Sequence, residues 1–318
     1  MKTIVWYLQL TRICNHKCIF CSNPANWKIL SKEEIEKGLY ELKNDWFTDV
    51  ILTGWEPTLS PYLEFAIQKA SEFWLKPRII TNGSKIANIE FLKKLIQKWL
   101  YLIHLSVYTY DPKLNDQIRW VNWAFKDMIK TLVNTYKLWF PVQITTVIFK
   151  QNQNHLLKNI LFVKKFNPNI KHFVWNVLDP EMMPEEGKKN KNKILPDLEV
   201  AGQEIIKCFK YLEQIWDTFR IERMPLCFIP WYERANTECR KIVKKEPRKV
   251  IFLDKRWHFQ EKGKMFQHSF KLECNKCDLK EICGWIYEYP NWYNPNVIPK
   301  KVGKEYIKKI KNKILNNW

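Results

Sequence analysis

Short apolar runs and amphipathic stretches alternate along the first 180 residues. Residues 5–11, Val-Trp-Tyr-Leu-Gln-Leu-Thr, read as a strand, and comparable runs recur at 49–53, 78–81, 101–107, 142–149 and 171–178. Between them apolar residues recur at helical spacing. Ser31, with Glu34 three residues on, forms a capping-box pattern that opens a helix reaching about residue 43. Further helix patterns cover 61–73, with Pro61 at an early position, then 89–98, 125–137 and 155–166. Six strands in regular alternation with helices predict parallel strands joined by helical crossovers. Ligand sites in such folds lie at strand C-termini. A Gly/Lys/Asn-rich run at 186–193 reads as a solvated linker, and one more helix pattern covers 196–216. After Phe219 proline, aromatics and cysteine concentrate and the periodicity fades. This places a boundary near residue 220, giving domains 1–220 and 221–318, with no internal repeats.

The chain has 318 residues, 46% of them apolar, which suits about two globular domains. No window approaches the ~18 unbroken apolar residues of a membrane span. Met1-Lys2-Thr3-Ile4-Val5 runs straight into the first strand pattern without signal-peptide anatomy, so a cytoplasmic protein with reduced thiols is expected. The nine cysteines then read as metal ligands or catalysts rather than a disulfide framework. The net charge of +20 is carried by 44 Lys against only 9 Arg. Phosphate readers favour the arginine fork. The lysine excess, in a chain also rich in Ile and Asn, reads as AT-rich codon usage and not as a nucleic-acid surface.

Glycine and tryptophan counts are inverted: 8 Gly against 16 Trp. Globular proteins average ~7% glycine, and here the two residues together reach an ordinary glycine count. Trp46, Trp74, Trp99 and Trp139 each follow a helix pattern where a terminating glycine belongs, and Trp292 follows Asn291 in a turn-like dipeptide. We therefore expect many of these codons, UGA among the candidates, to be read as glycine in the source cell.

The chemistry concentrates where strand patterns end. Cys14, Cys18 and Cys21 follow the first strand as C-x3-C-x2-C, with Phe20 just before the last cysteine. Three thiolates on one short loop can hold three corners of an iron–sulfur cube, leaving one iron open. With His16 as a fourth ligand they could instead form a Cys3His zinc site. After the second strand comes Thr53-Gly54-Trp55-Glu56-Pro57-Thr58. With glycine at 55 it becomes T-G-G-E-P-T, a segment whose backbone can approach a ligand closely and whose carboxylate could help hold an ammonium group.

On the cysteine triplet and the Thr53–Pro57 segment the chain resembles the radical S-adenosylmethionine (radical SAM) superfamily over residues 1 to about 180. Trp55 is the one departure from its GGEP motif. The resemblance implies an α/β partial (β/α)6 TIM-like barrel. It also implies a [4Fe–4S] cluster on Cys14, Cys18 and Cys21, which binds S-adenosylmethionine and reductively cleaves it to a 5′-deoxyadenosyl radical. Phe20, Thr53, Gly54, Trp55, Glu56, Pro57, Thr81, Asn82, Ser106 and Arg119 stand where the family contacts its cofactors, with Arg119 taken as lying near a helix start. An electron donor such as ferredoxin or flavodoxin follows from the same chemistry.

Beyond residue 220 lie Cys227, Cys239, Cys274, Cys277 and Cys283. Cys274-x2-Cys277-x5-Cys283 is a compact metal knuckle, and Cys227 follows Met224-Pro225-Leu226. The layout resembles SPASM/twitch regions that hold auxiliary [4Fe–4S] clusters, and lacks the last Cys-x3-Cys element of full SPASM. That implies one auxiliary cluster on Cys227, Cys274, Cys277 and Cys283, with Cys239 as the spare or an alternative ligand and a zinc knuckle as the rival. Cys208, beside Phe209 in a helix pattern, reads as core. His104, His155 and His172 read as structural, nothing selects His258 or His268, and Tyr287, Tyr289 and Tyr293 read as packing. The function expected is modification of a peptide or protein. Cofactor biosynthesis or RNA modification is the alternative within the family, and a zinc-stabilised nucleic-acid-binding protein the alternative outside it.

Overall fold

The computed structural model describes residues 5–21, 27–45, 47–179, 183, 188–245, 248–251, 258–260, 270–284, 293 and 296–316. Trp46, Trp292, His268, Tyr287 and Tyr289 lie outside them. The chain packs as two compact units: 1–145, 161–171 and 248–259 in the first, and 146–160, 172–247 and 260–318 in the second.

In the first unit β1 (Val5–Thr11), β2 (Asp49–Gly54), β3 (Lys76–Thr81) and β4 (Leu102–Ser106) pair in parallel in that order, and β4 pairs with the first half of β5 (Val142–Ile148). The connections are α1 (Lys32–Asn44), α2 (Leu63–Glu72), α3 (Ile89–Gln97), and the pair α4 (Pro112–Arg119) and α5 (Ala124–Lys137). Strands β2 and β4 are apolar and buried on both faces, as parallel strands covered by helices must be. The capping box of α1 forms as read: the Glu34 N–H donates to Ser31 Oγ at 3.2 Å, and the Ser31 N–H donates to Glu34 Oε2 at 2.9 Å. Ile35, Leu39 and Leu42 turn one face of that helix into the core. Strand, helix and strand again make the α/β architecture of a partial TIM barrel, as the alternation predicts.

Two features of this unit were not anticipated. Helix α4 begins at Pro112 behind an Asp111 N-cap, whose Oδ1 accepts from the N–H groups of Lys113 and Leu114. Arg119 therefore closes a helix rather than lying near the start of one. Residues from far along the chain also return: β8 (Arg248–Ile251) adds parallel to the other edge of β1 through Tyr7↔Val250 and Leu8↔Ile251.

In the second unit β6 (His172–Val177) pairs in parallel with β7 (Thr218–Glu222), from His172↔Thr218 to Asn176↔Glu222. Helix α7 (Leu198–Gln214) buries Phe209 against Phe219, ring centroids 4.2 Å apart, and against Trp175 at 5.9 Å. Cys208 is fully buried on this helix. The reading of an aperiodic segment after Phe219 is corrected here: β7, α8 (Thr237–Lys244) and α9 (Gly303–Asn316) are regular elements. Helix α9 is mostly lysine and asparagine, so only Ile307, Ile310 and Ile314 mark its buried stripe.

Candidate functional site

The loop after β1 is closed at its neck. The Arg12 N–H donates to Lys28 O at 2.7 Å, and the Leu30 N–H to Leu10 O at 3.0 Å. Its tip is fastened to the end of α4 by N–H bonds from Lys17 to Arg119 O and from Ile19 to Ile118 O, at 3.0 and 3.1 Å. A turn from the Cys21 N–H to Cys18 O, 3.0 Å, brings the last two cysteines together. Cys14, Cys18 and Cys21 are outside any disulfide and partly buried. Burial is the main cause that pushes the Cys14 thiol up to about 12 and the Cys18 thiol up to about 11, with the neighbouring thiols adding to it and Arg119 opposing it at Cys18. Buried thiols at these values stay protonated until something stabilises the thiolate, which a metal centre does.

His16 sits inside this loop and is buried. Arg119 can only donate, so its NH1, 3.2 Å away, makes His16 Nδ1 an acceptor. Nε2 then carries the proton and meets Ser84 Oγ at 3.0 Å. Burial, and after it the Arg119 charge, hold this imidazole neutral, down at about 3. With both ring nitrogens committed, His16 does not complete a Cys3His zinc site. Among the described residues no three His, Cys, Asp or Glu side chains converge on a single-ion position.

Arg119 is fully buried. Its NH2 donates to Ser106 O at 2.7 Å and its NH1 to Asn82 O at 3.5 Å, and the guanidinium lies 4.5 Å from the centre of the Tyr108 ring. It is the strut between the cysteine loop and the ends of β3 and β4. Phe20 is buried edge-on against the same Tyr108 ring at 4.9 Å. Asn82 reaches the cysteine loop through Nδ2, which donates to Asn15 Oδ1 at 2.8 Å and lies 3.8 Å from Cys14 Sγ. Sequence reasoning passed over Tyr108, Ser84 and Asn15. No local pattern marks them, because each matters through a partner from another strand or loop.

The segment from Thr53 to Pro57 closes β2 against the start of the cysteine loop. Gly54 has φ +129°, and a Cβ there would stand 2.2 Å from Thr11 O, so only glycine fits. The N–H groups of Trp55 and Glu56 donate to Thr11 O and Ile13 O, at 2.9 and 3.0 Å. The Trp55 indole Nε1 is buried and meets no acceptor. The Glu56 carboxylate, expected to help hold an ammonium group, is engaged within the protein. Its Oε1 already accepts from Thr58 N–H (3.1 Å), Thr58 Oγ1 (2.6 Å) and Thr81 Oγ1 (2.7 Å), and its Oε2 from Asn82 N–H (2.7 Å). Glu56 ties the ends of β2 and β3 together. Burial raises it above the usual carboxylate range while these four donors pull it back. Pro57 opens a short 3-10 turn beside it. Thr53 is half-buried, and Ser106 is buried at the end of β4.

The second unit holds the other cysteines. Cys274, Cys277 and Cys283 lie on two consecutive 3-10 turns, Leu272–Lys276 and Asp278–Ile282, and their closing residues. Asp278 Oδ2 accepts from Val302 N–H (2.8 Å) and Gly303 N–H (3.0 Å), fixing this knuckle to the start of α9. Cys277 Sγ accepts from Lys300 N–H at 3.4 Å. Cys227, on a 3-10 turn after β7, is pushed up to about 12, by burial first and then by the thiols of Cys283, Cys277 and Cys274. Cys239, buried in the first turn of α8, is raised by burial first and then by the Cys283 thiol. At the ends of β6 and β7, Arg223 Nε lies 3.9 Å from Asp179 Oδ2, the Arg223 N–H donates to Glu238 Oε2 at 3.0 Å, and the Tyr293 hydroxyl donates to Leu178 O at 2.6 Å.

Residues 8–163 match the Radical SAM superfamily. The chain belongs to that superfamily. Radical SAM proteins hold a [4Fe–4S] cluster and S-adenosylmethionine, and the chemistry of this donor set fits a cube, with three thiols on one loop and His16 committed elsewhere. Among curated relatives, the S-adenosylmethionine-dependent nucleotide dehydratase of Flammeovirga pacifica is 29% identical over 189 residues, 56% of this chain and 62% of that one. The chain thus spans about three-fifths of that relative's length. Among solved structures, Streptococcus suis SuiB bound to S-adenosylmethionine superposes with a TM-score of 0.66 at 18% identity, over 90% of this chain and 76% of SuiB. The structure of anSMEcpe with bound AdoMet and the Cp18Cys peptide gives 0.64 at 15% identity, over 98% and 99%. At these identities the likeness to both is one of fold. No helix among the described residues is long and apolar enough to cross a membrane.

Proposed function

We propose that this radical SAM enzyme cleaves S-adenosylmethionine on a cluster held by Cys14, Cys18 and Cys21, and uses the radical to modify a peptide or protein. The observation that carries the first part is the fate of His16. Its two nitrogens are spent on Ser84 and Arg119, so His16 is not the fourth ligand of the three thiols. A cluster bound there supplies the electron that splits S-adenosylmethionine into methionine and a 5′-deoxyadenosyl radical. The protein's part is positioning. Arg119 braces the cysteine loop, Phe20 and Tyr108 wall it, and Asn82, Ser106 and the 53–57 segment line the S-adenosylmethionine site, with Glu56 and Thr81 holding that segment in place.

Residues 1–220 make up the catalytic domain and 221–318 an auxiliary region. There Cys227, Cys274, Cys277 and Cys283 would ligate a second [4Fe–4S] cluster, a reading supported by the knuckle of Cys274, Cys277 and Cys283 on two consecutive turns and by the effect of all three of its thiols on Cys227. The peptide reading is supported by the near-complete overlap with anSMEcpe, solved with a peptide, and by the overlap with 71% of SuiB, solved with its precursor peptide SuiA. A nucleotide-derived small molecule is the second reading, favoured by the relative from Flammeovirga pacifica. The enzyme acts in the cytoplasm with ferredoxin or flavodoxin as electron donor. Anaerobic iron analysis combined with chromatographic detection of 5′-deoxyadenosine tests the core of the proposal. Iron with 5′-deoxyadenosine production in the wild type, and no production in Cys18→Ala, is the expected result. Zinc in place of iron, or full production by Cys18→Ala, refutes it.

A further inference from the structure

Nine of the described tryptophans fall into two populations with opposite physics, and Trp123, with φ −127° and 42% exposed, belongs to neither. Trp6 and Trp175 lie in strands, 3% and 2% exposed, packed on Phe47 at 4.0 Å and on Phe173 and Phe209 at 6.1 and 5.9 Å. Trp27, Trp74, Trp99, Trp120, Trp139, Trp216 and Trp231 instead have left-handed backbones, with φ between 51° and 74°. Their indoles stand in solvent, from 64% to 91% exposed. For a bulky residue that backbone region is an outlier. Only two other non-glycine residues among those described, Arg223 and Lys245, adopt it.

The hydrogen bonds say which residue the backbone was built for. After α2 the Trp74 N–H donates to Ser71 O (2.9 Å) and the Leu75 N–H to Ala70 O (2.9 Å), which is the paired bonding of a Schellman helix stop. The same pair recurs at Trp99 and Leu100 after α3, at Trp120 and Val121 after α4, at Trp139 and Phe140 after α5, and at Trp216 and Asp217 after α7. In each the left-handed residue is the tryptophan, at the position where such motifs take glycine. Trp231 sits at the third place of a turn closed by Tyr232 N–H to Ile229 O (3.0 Å), directly after Pro230. A type II turn takes proline and then glycine there. Trp55 adds a different defect, a buried indole N–H with no acceptor, whereas a buried tryptophan ordinarily finds one.

We propose that positions 27, 55, 74, 99, 120, 139, 216 and 231 are glycine in the native protein. Their codon is one that the source cell translates as glycine, while Trp6 and Trp175 use the ordinary tryptophan codon. Seven exposed left-handed tryptophans against two buried strand tryptophans point to two codons, and UGA is the one that alternative decoding would make available beside UGG. The assignment at 55 alone touches the proposed S-adenosylmethionine site, and the other seven stand whatever the enzyme's activity.

The deciding experiment is peptide mass spectrometry of the protein isolated from its own cells, alongside the codons of its gene. Glycine at the eight positions, tryptophan at 6 and 175, and UGA at the eight against UGG at the two is the expected result. Tryptophan at any of the eight, glycine at 6 or 175, or one shared codon for both groups overturns the proposal. Recombinant protein supplies a second readout. Trp→Gly at 74, 99, 139 or 216 should each raise Tm by roughly 2–4 °C, and Trp→Ala at the same site should not, because alanine keeps the Cβ. Equal gains from Gly and Ala would attribute the effect to loss of the indole and overturn the backbone argument.

Discussion

Glu56→Gln tests whether the end of β2 is held by a carboxylate that accepts from four donors inside the protein. The four donors arrive at 2.6 to 3.1 Å, three on Oε1 and one on Oε2. An amide has one acceptor oxygen. With its nitrogen at the Oε2 position it faces the Asn82 N–H, donor against donor. Turned round, it faces the Thr58 N–H, although the two threonine hydroxyls can then reverse and accept. Either orientation strands one buried backbone N–H, a cost of ~1–3 kcal/mol, and the surviving bonds lose their charge assistance. The neutral amide is easier to bury than a carboxylate, which offsets part of this. The net loss is about 2 kcal/mol, which lowers Tm by roughly 3 °C. The assay is thermal unfolding of the anaerobically purified holoprotein, with S-adenosylmethionine affinity measured in parallel. Because Asn82 and the 53–57 segment share this carboxylate, affinity should fall with Tm, and Glu56→Ala should lose more of both. A Gln variant that melts within about 1 °C of the wild type and binds S-adenosylmethionine unchanged would refute the reasoning.

Three further outcomes follow from the same geometry. Cys14→Ala and Cys21→Ala should each abolish 5′-deoxyadenosine production, as Cys18→Ala should, since a three-ligand loop has no thiol to spare. Cys227→Ala should lower the anaerobic iron content from about eight to about four per chain, the sum of two four-iron cubes less one, while Cys239→Ala leaves it near eight; the reverse pattern would make Cys239 the fourth ligand. Trp55→Gly in protein made with tryptophan at that position should tighten S-adenosylmethionine binding at least tenfold, because overpacking a fitted site costs ~1–3 kcal/mol and ~1.4 kcal/mol is already tenfold. Equal affinity in the two proteins would mean that the indole does not obstruct the ligand.

Local sequence was enough for the elements with strong periodicity or local chemistry. The capping box at Ser31, the six strands from β1 to β6 and the cysteine loop after β1 were all legible, because hydrophobic period and short-range hydrogen bonding act within a few residues. The helix stops at Trp74, Trp99 and Trp139 were legible too, through the glycine they lack. Helix α9 was hidden by a stripe of only three isoleucines among lysines, and β8 by the 239 residues of sequence that separate Leu8 from the start of its partner strand at residue 248. What only the tertiary structure decided is which polar atoms are already spent. Sequence left His16 free to ligate a metal and Glu56 free to hold an ammonium group. The fold brings Ser84, Arg119, Thr81 and Asn82 against them from other strands and loops, and hydrogen-bond capacity used in the fold is no longer available to a ligand.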